Sequence, residues 1–280
     1  MKRRNARLVL LALAIILSAG ICRAESGDTL KIGGTGFGLE QMRILARTYR
    51  QSHPETKVTV YPSLGSSGGI KALLAGALDL AIGSRPLRTA EKEHGLGEKE
   101  LFKTPFVFIA NSSVAKDAIT TRELEQIYKG RETSWADGSR IRVVLRPKTE
   151  TDTEIIMGLS PGMSEAVTAA MSRPGMILAV TDQENLATIE KTPGALGAGT
   201  LTQISTENRQ VKILKLNGLV PNVAALRDGS YPMSKTLYLF TGTKMTAAAR
   251  QFVDFLGTEQ AEKILAEHGN LVATDPRAGS

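Results

Sequence analysis

From residue 30 onward, short apolar runs take turns with segments whose apolar residues recur every three or four positions. The runs suit buried or half-buried strands, and the recurrence suits amphipathic helices. Residues 30–32 predict a strand, and Leu39, Met42, Leu45, Ala46 and Tyr49 predict a helix over 39–49. Residues 57–61 alternate as a strand, 70–78 read as a helix, and 79–82 as a short buried strand. This β-α-β-α-β order implies parallel strands with helices on both faces. Farther on, 106–110 is an apolar strand. Residues 121–128 form a helix, with Thr120 or Thr121 as its N-cap and Gly130 near its end. Strands follow at 141–145, 211–214 and 236–240, and helices at 153–159, 162–171, 246–255 and 259–268. Residues 193–199 read as a glycine-rich connection, and 130–138, with Trp135, as a loop on the protein surface.

Two of the strand-to-helix turns are rich in glycine and hydroxyls. The first is Ile32-Gly33-Gly34-Thr35-Gly36-Phe37-Gly38, the second Leu64-Gly65-Ser66-Ser67-Gly68-Gly69-Ile70. Such turns expose backbone N–H groups at the positive end of a helix dipole, which suits an oxyanion. In parallel sheets, ligands bind beyond the carboxyl ends of the strands, where both turns lie. The second turn also satisfies G-x-S-x-G (Gly65, Ser67, Gly69), so a serine hydrolase using Ser67 with His94 or His268 is an alternative. The first turn fails the dinucleotide fingerprint, because Leu39 stands where the last glycine belongs.

A third constellation, Arg146-Pro147-Lys148-Thr149-Glu150-Thr151-Asp152-Thr153, follows a strand and opens a helix. Arg146 offers a planar fork for an oxyanion, and Thr151 and Thr153 offer hydroxyls. Asp152 has three readings here: a helix cap, a proton acceptor that favours hydrogen phosphate over sulfate, or a partner of Arg85. His53, His94 and His268 lack metal-ligand spacing, and no metal or cofactor is expected.

The formal charge of +7 misleads about partners. Lys2, Arg3, Arg4 and Arg7 precede the unbroken apolar run 8–17, which reads as a secretory signal. Cys22-Arg23-Ala24 places small residues at the cleavage positions. Cleavage after Ala24 removes five basic residues and no acid, leaving +2. The basic balance is therefore no argument for nucleic acid. Acylation of Cys22 is the alternative, although Ile21 stands where such signals place a small residue. Without Cys22 the secreted chain has no cysteine, hence no disulfide.

Taken in order, several segments resemble the periplasmic phosphate-binding proteins of ABC transporters. Gly65-Ser66-Ser67-Gly68-Gly69-Ile70-Lys71 is similar to that family's G-S-S-G-G-x-K turn. Asp79-Leu80-Ala81-Ile82-Gly83-Ser84-Arg85-Pro86-Leu87 resembles the strand and serine-bearing loop that follow it. Residues 121–130 with Trp135, then Pro193-Gly194-Ala195-Leu196-Gly197 and Tyr231-Pro232-Met233-Ser234, resemble later signatures. The resemblance implies a two-lobed α/β fold, the type II periplasmic-binding-protein fold. Each lobe is a mixed, mostly parallel sheet flanked by helices, with two crossing hinge strands near 106–111 and 236–241. Residues 1–24 are then a signal peptide, 25–110 with 236–280 lobe I, and 111–235 lobe II.

Carried over by position, the resemblance implies ligand contacts at Gly36 and Phe37, with Thr35 beside them, and at Ser66, Ser84, Arg146, Thr151 and Thr153; Ser67 in the second turn and Asp152 in the third constellation complete the expected ligand-binding set. The resemblance implies a monomeric, non-enzymatic binding protein in the periplasm that hands phosphate, or another oxyanion such as molybdate, tungstate or sulfate, to a membrane permease. A sensor or accessory protein of the same fold is the alternative. Two departures stand out. The family's S-G-T is Thr151-Asp152-Thr153 here, one residue farther from Arg146, and Ser84-Arg85 stands where well-known members carry an aspartate.

Overall fold

The computed structural model describes residues 29–273, so the signal-peptide and Cys22 readings lie outside the described residues. The strands are β1 (Thr29–Gly34), β2 (Lys57–Ser63), β3 (Leu80–Gly83), β4 (Gly97–Asn111), β5 (Ala118–Ile119) and β6 (Arg142–Leu145). Then come β7 (Ile177–Leu178), β8 (Ala195–Thr200), β9 (Val211–Ile213), β10 (Lys215–Leu216), β11 (Ser234–Thr241) and β12 (Leu271–Val272). The main sheet runs β2-β1-β3-β11-β4-β8-β6-β7, with β9 and β12 added on β4.

The first half of this order is built as the hydrophobic pattern predicts. β1 pairs in parallel with β2 and β3, and helices Leu39–Ser52 and Gly65–Leu74 fill the crossovers. Leu39, Met42, Leu45, Ala46 and Tyr49 are buried on one helix face, and the Tyr49 ring meets Phe252 edge-on at 5.2 Å. Each such buried side chain stabilises the fold by about 1.5–3 kcal/mol.

Apolar residues divide into two large cores, one on each side of the level at which Lys235 of β11 pairs with Thr104 of β4. Leu30, Ile32, Phe37, Phe102, Leu237 and Phe252 belong to the first. Phe106, Phe108, Leu145, Ile156, Leu186 and Met233 belong to the second. β4 is continuous through both. Its early residues pair with β11 and its later ones, Phe106 to Ala110, with β8. The chain thus passes between cores at residues 103–105 and 234–236, where Lys235 is paired with Thr104. Tyr231 Oη donates to Phe106 O (3.1 Å), tying the two passages together.

Two expectations need correcting. Residues 193–199 are no simple connection: β8 is a fully buried strand between β4 and β6. Its glycines hide the strand pattern for a packing reason. A Cβ on Gly197 would lie 2.5 Å from Ile189, and one on Gly199 3.0 Å from Leu186, both on helix Asp182–Lys191. Trp135 is in a loop but is buried, and its Nε1 donates to Gly194 O (3.0 Å) in the second core.

The two glycine turns, separate in sequence, touch in space. A Cβ on Gly69 would sit 2.8 Å from Gly34 Cα, and Gly34, at φ 138°, presses against Ile82 O. Only glycine tolerates both that dihedral and that approach. The helix beginning at Gly65 is thereby set directly over the end of β1.

Candidate functional site

The first lobe presents three segments at one end of its sheet. Thr35, Gly36 and Phe37 follow β1; Ser66 lies in the first turn of helix Gly65–Leu74; Ser84 follows β3. Thr35 N–H donates to Ile82 O (3.0 Å), which holds the first turn to β3. Ser66 Oγ accepts from Ser84 N–H (2.9 Å), and the two hydroxyl oxygens lie 3.1 Å apart.

The second lobe answers with the stretch from Arg146 to Thr153. Ser84 Oγ lies 3.0 Å from Thr151 Oγ1, so Ser66, Ser84 and Thr151 form one chain of hydroxyls that crosses between the lobes. A second crossing joins Gln183 Nε2 to Gly36 O at 2.9 Å. Arg146 leaves the end of β6 and is 5% exposed. Its guanidinium donates to Asp152 Oδ2 (3.3 Å), Ala179 O (2.9 Å) and Glu150 Oε2 (3.3 Å), and lies 3.6 Å from Asp182 Oδ1.

At the floor of the cleft stands Lys235, at the passage between the cores. Its Nζ donates to Asp152 Oδ1 and to Asp182 Oδ1 (3.2 Å for the latter) and lies 4.6 Å from the centroid of the Phe37 ring. Two buried cations, Arg146 and Lys235, therefore face two buried carboxylates, Asp152 and Asp182, with the half-buried Glu150 at the side. Burial pushes the Asp182 carboxyl up. The charges of Lys235 and Arg146, the Lys235 hydrogen bond and the Gly36 N–H outweigh it and hold the carboxyl below its ordinary range. Burial pushes the Lys235 ammonium down, but Asp152 and Asp182 prevail and raise it. Glu150 is raised, by burial above all, with Arg146 opposing.

Of the residues expected from sequence, Ser66, Ser84, Thr151, Arg146, Asp152, Gly36 and Phe37 lie within this connected group. Ser67 does not. It is exposed, and its Oγ accepts from Arg85 Nη2 (3.1 Å). His268 Nδ1 lies beside Ser205 Oγ, so no serine–histidine pair is assembled on the second turn among the described residues. Thr153 donates its hydroxyl to the carbonyls of Arg146 and Pro147 (3.1 and 3.0 Å), fixing the loop from inside. Asp152 is neither cap nor partner of Arg85: Glu150 occupies the N-cap position, and Arg85 pairs with Glu91 at 2.7 Å. Hydrogen bonding from Arg85, ahead of burial, which opposes it, lowers Glu91 to about 2.

Two members of the group, Asp182 and Lys235, were not among the expected residues, yet each has a sequence signal. Asp182 follows Thr181 in Thr181-Asp182-Gln183-Glu184, a capping box in which Thr181 Oγ1 accepts from Glu184 N–H. Lys235 shares its strand face with Leu237 and Leu239, and the alternation of β11 buries it with them. A groove of about 700 Å³ runs between the lobes, lined by Glu40 and Arg43 on one side and by Thr181, Gln183 and Glu207 on the other, and Gln183 in its wall donates to Gly36 O.

A family model described as a PBP superfamily domain matches residues 23–260. The Phosphate-binding protein PstS of Borreliella burgdorferi is 24% identical over 258 residues, covering 89% of this chain and 92% of that protein. The Phosphate-binding protein PstS of Bacillus subtilis is 23% identical, covering 98% and 96%. A Clostridium perfringens protein, assigned as a phosphate ABC transporter substrate-binding protein and solved with bound phosphate, superposes with a TM-score of 0.74. That match has 20% identity and covers 88% of this chain and 100% of the other.

Proposed function

The chain belongs to the PBP superfamily, and on that premise we propose that it is an extracytoplasmic solute-binding protein that captures phosphate for an ABC transporter. It acts as a monomer, delivers its ligand to a membrane permease and carries out no covalent chemistry. The observation that carries the reading is the hydroxyl chain Ser66–Ser84–Thr151, drawn from both lobes and ending next in sequence to Asp152, to which Arg146 donates. Hydroxyls and backbone N–H groups replace the water around an oxyanion without adding full charges, and a guanidinium supplies the charge. The names of the relatives and the phosphate in the superposed structure support phosphate over other oxyanions.

Residues 103–105 and 234–236 are the places where the chain can bend as the lobes close, since each joins one core to the other. Ser84 bridges both sides, so Ser84→Ala removes a hydrogen-bonding group from a site that otherwise stays intact. Calorimetry with phosphate is expected to show affinity falling roughly two- to tenfold, the loss of about 0.5–1.5 kcal/mol for one neutral hydrogen bond. A wild-type titration that gives no heat and no thermal shift with phosphate overturns the reading.

A further inference from the structure

The donors that suit an oxyanion already hold one, and it is part of the chain. Asp182 Oδ1 takes Lys235 at 3.2 Å and stands 3.6 Å from Arg146. Its other side faces Gly36, whose N–H donates to it, so closely that a Cβ on Gly36 would lie 2.6 Å from Oδ2. A cation from the junction strand, a guanidinium from the second lobe and a backbone N–H from the first glycine turn thus converge on one carboxylate. Those are the three kinds of group that bind an oxyanion elsewhere.

We propose that Asp182 is a resident anion of the cleft, which a captured oxyanion displaces from Gly36 and Lys235, so that Asp182 sets how tightly the site holds its ligand. The proposal rests on the phosphate reading above. When the lobes part, Asp182 leaves with the second lobe, because helix Asp182–Lys191 packs into that core through Leu186 and Ile189. Gly36 and Phe37 stay with the first. The second lobe then carries Arg146 against Asp152, Asp182 and Glu150, one cation against three carboxylates. The first lobe keeps its N–H groups and hydroxyls, with Lys235 at the junction. An arriving anion therefore lands on the first lobe, and closure brings Asp182 up against it. Two anions then contend for the same donors, and a dianion suffers more from this than a monoanion.

Asp182→Asn keeps the shape and removes the charge. Calorimetry is expected to show phosphate bound at least tenfold more tightly than by the wild type, with sulfate gaining as much or more. Small-angle scattering in phosphate-free buffer is expected to show a larger radius of gyration for the variant, since the contact of Asp182 with Lys235 and Gly36 is weakened. Gln183→Ala is the control. It removes the other contact to Gly36, at its carbonyl, without altering charge, so it is expected to expand the protein but not to tighten binding. Equal or weaker phosphate binding by Asp182→Asn, beside a wild type that binds phosphate, overturns the proposal. So does an equal gain in Gln183→Ala, which would trace the effect to loosening. If no variant binds phosphate, the functional reading fails, and scattering alone decides. An expanded Asp182→Asn then upholds Asp182 as the group holding both sides, and unchanged dimensions overturn it.

Discussion

Lys235→Met is expected to lower the stability of the protein by about 3–5 kcal/mol at pH 7, as measured by urea denaturation. The ammonium is buried, with hydrogen bonds to two carboxylates that are buried too. Methionine matches its length and packs against Phe37, which isolates the electrostatic loss from any cavity. Asp152 and Asp182 then share the single charge of Arg146. The pH dependence carries a sign. Asp182 is held below its ordinary range in the wild type, so its contribution is present above the unfolded pKa, about 3.9, and fades as pH falls through the lower folded value. Lys235 is raised, so its contribution is complete below its ordinary value and fades only as pH climbs through the higher folded one. In the variant, Asp182 loses the charge and hydrogen bond of Lys235, which oppose its burial, so its carboxyl protonates more readily. The deficit is therefore expected to shrink as pH falls from 7 towards about 4. A deficit below about 1 kcal/mol, or one independent of pH, contradicts this account.

Arg146→Ala is expected to weaken phosphate binding by about 10- to 150-fold, which corresponds to the roughly 1.5–3 kcal/mol of a charged hydrogen bond. The effect has two sources. The variant lacks the second lobe's cation, and it leaves Glu150, Asp152 and Asp182 facing the ligand with only Lys235 to offset them. Arg146→Lys is expected to fall between the two. An ammonium restores the charge but cannot reach Asp152, Glu150 and Ala179 O together, as the fork does. Titration of phosphate into all three proteins tests the order. An alanine variant that binds like the wild type removes Arg146 from the site.

Much of the first lobe was legible in the sequence because its elements are regular and locally determined. The helix from Leu39 shows its buried stripe, and the glycine turns reveal themselves by composition. What escaped notice depends on distant partners. β8 looks like a loop because Gly197 and Gly199 make room for Ile189 and Leu186. The early part of β4, with Glu98, Lys99, Glu100 and Lys103, looks too polar for a strand, yet it pairs with the whole of β11. The donor set on the turns was recognisable from residue type. Whether those donors are shared with Asp182 was not, since the helix carrying Asp182 lies far along the chain and its capping box gives no hint of what the aspartate meets. Asp152 shows the same limit. Its place in a helical first turn suggests a cap, while a lysine more than eighty residues away decides its partner.

The single tryptophan has a practical bearing on every titration named above. Trp135 is buried in the second core, its indole N–H fixed on Gly194 O, with none of its described hydrogen bonds reaching the cleft. Its emission is therefore a native gauge of whether the second lobe is intact. Unfolding is expected to shift the spectrum, and ligand capture is expected to leave it unchanged, because the indole N–H stays on Gly194 O away from the cleft. Optical readout of capture calls for a dye near the cleft, and because Cys22 is the single cysteine of the sequence, a thiol introduced at Thr206 labels there alone in a protein that lacks Cys22.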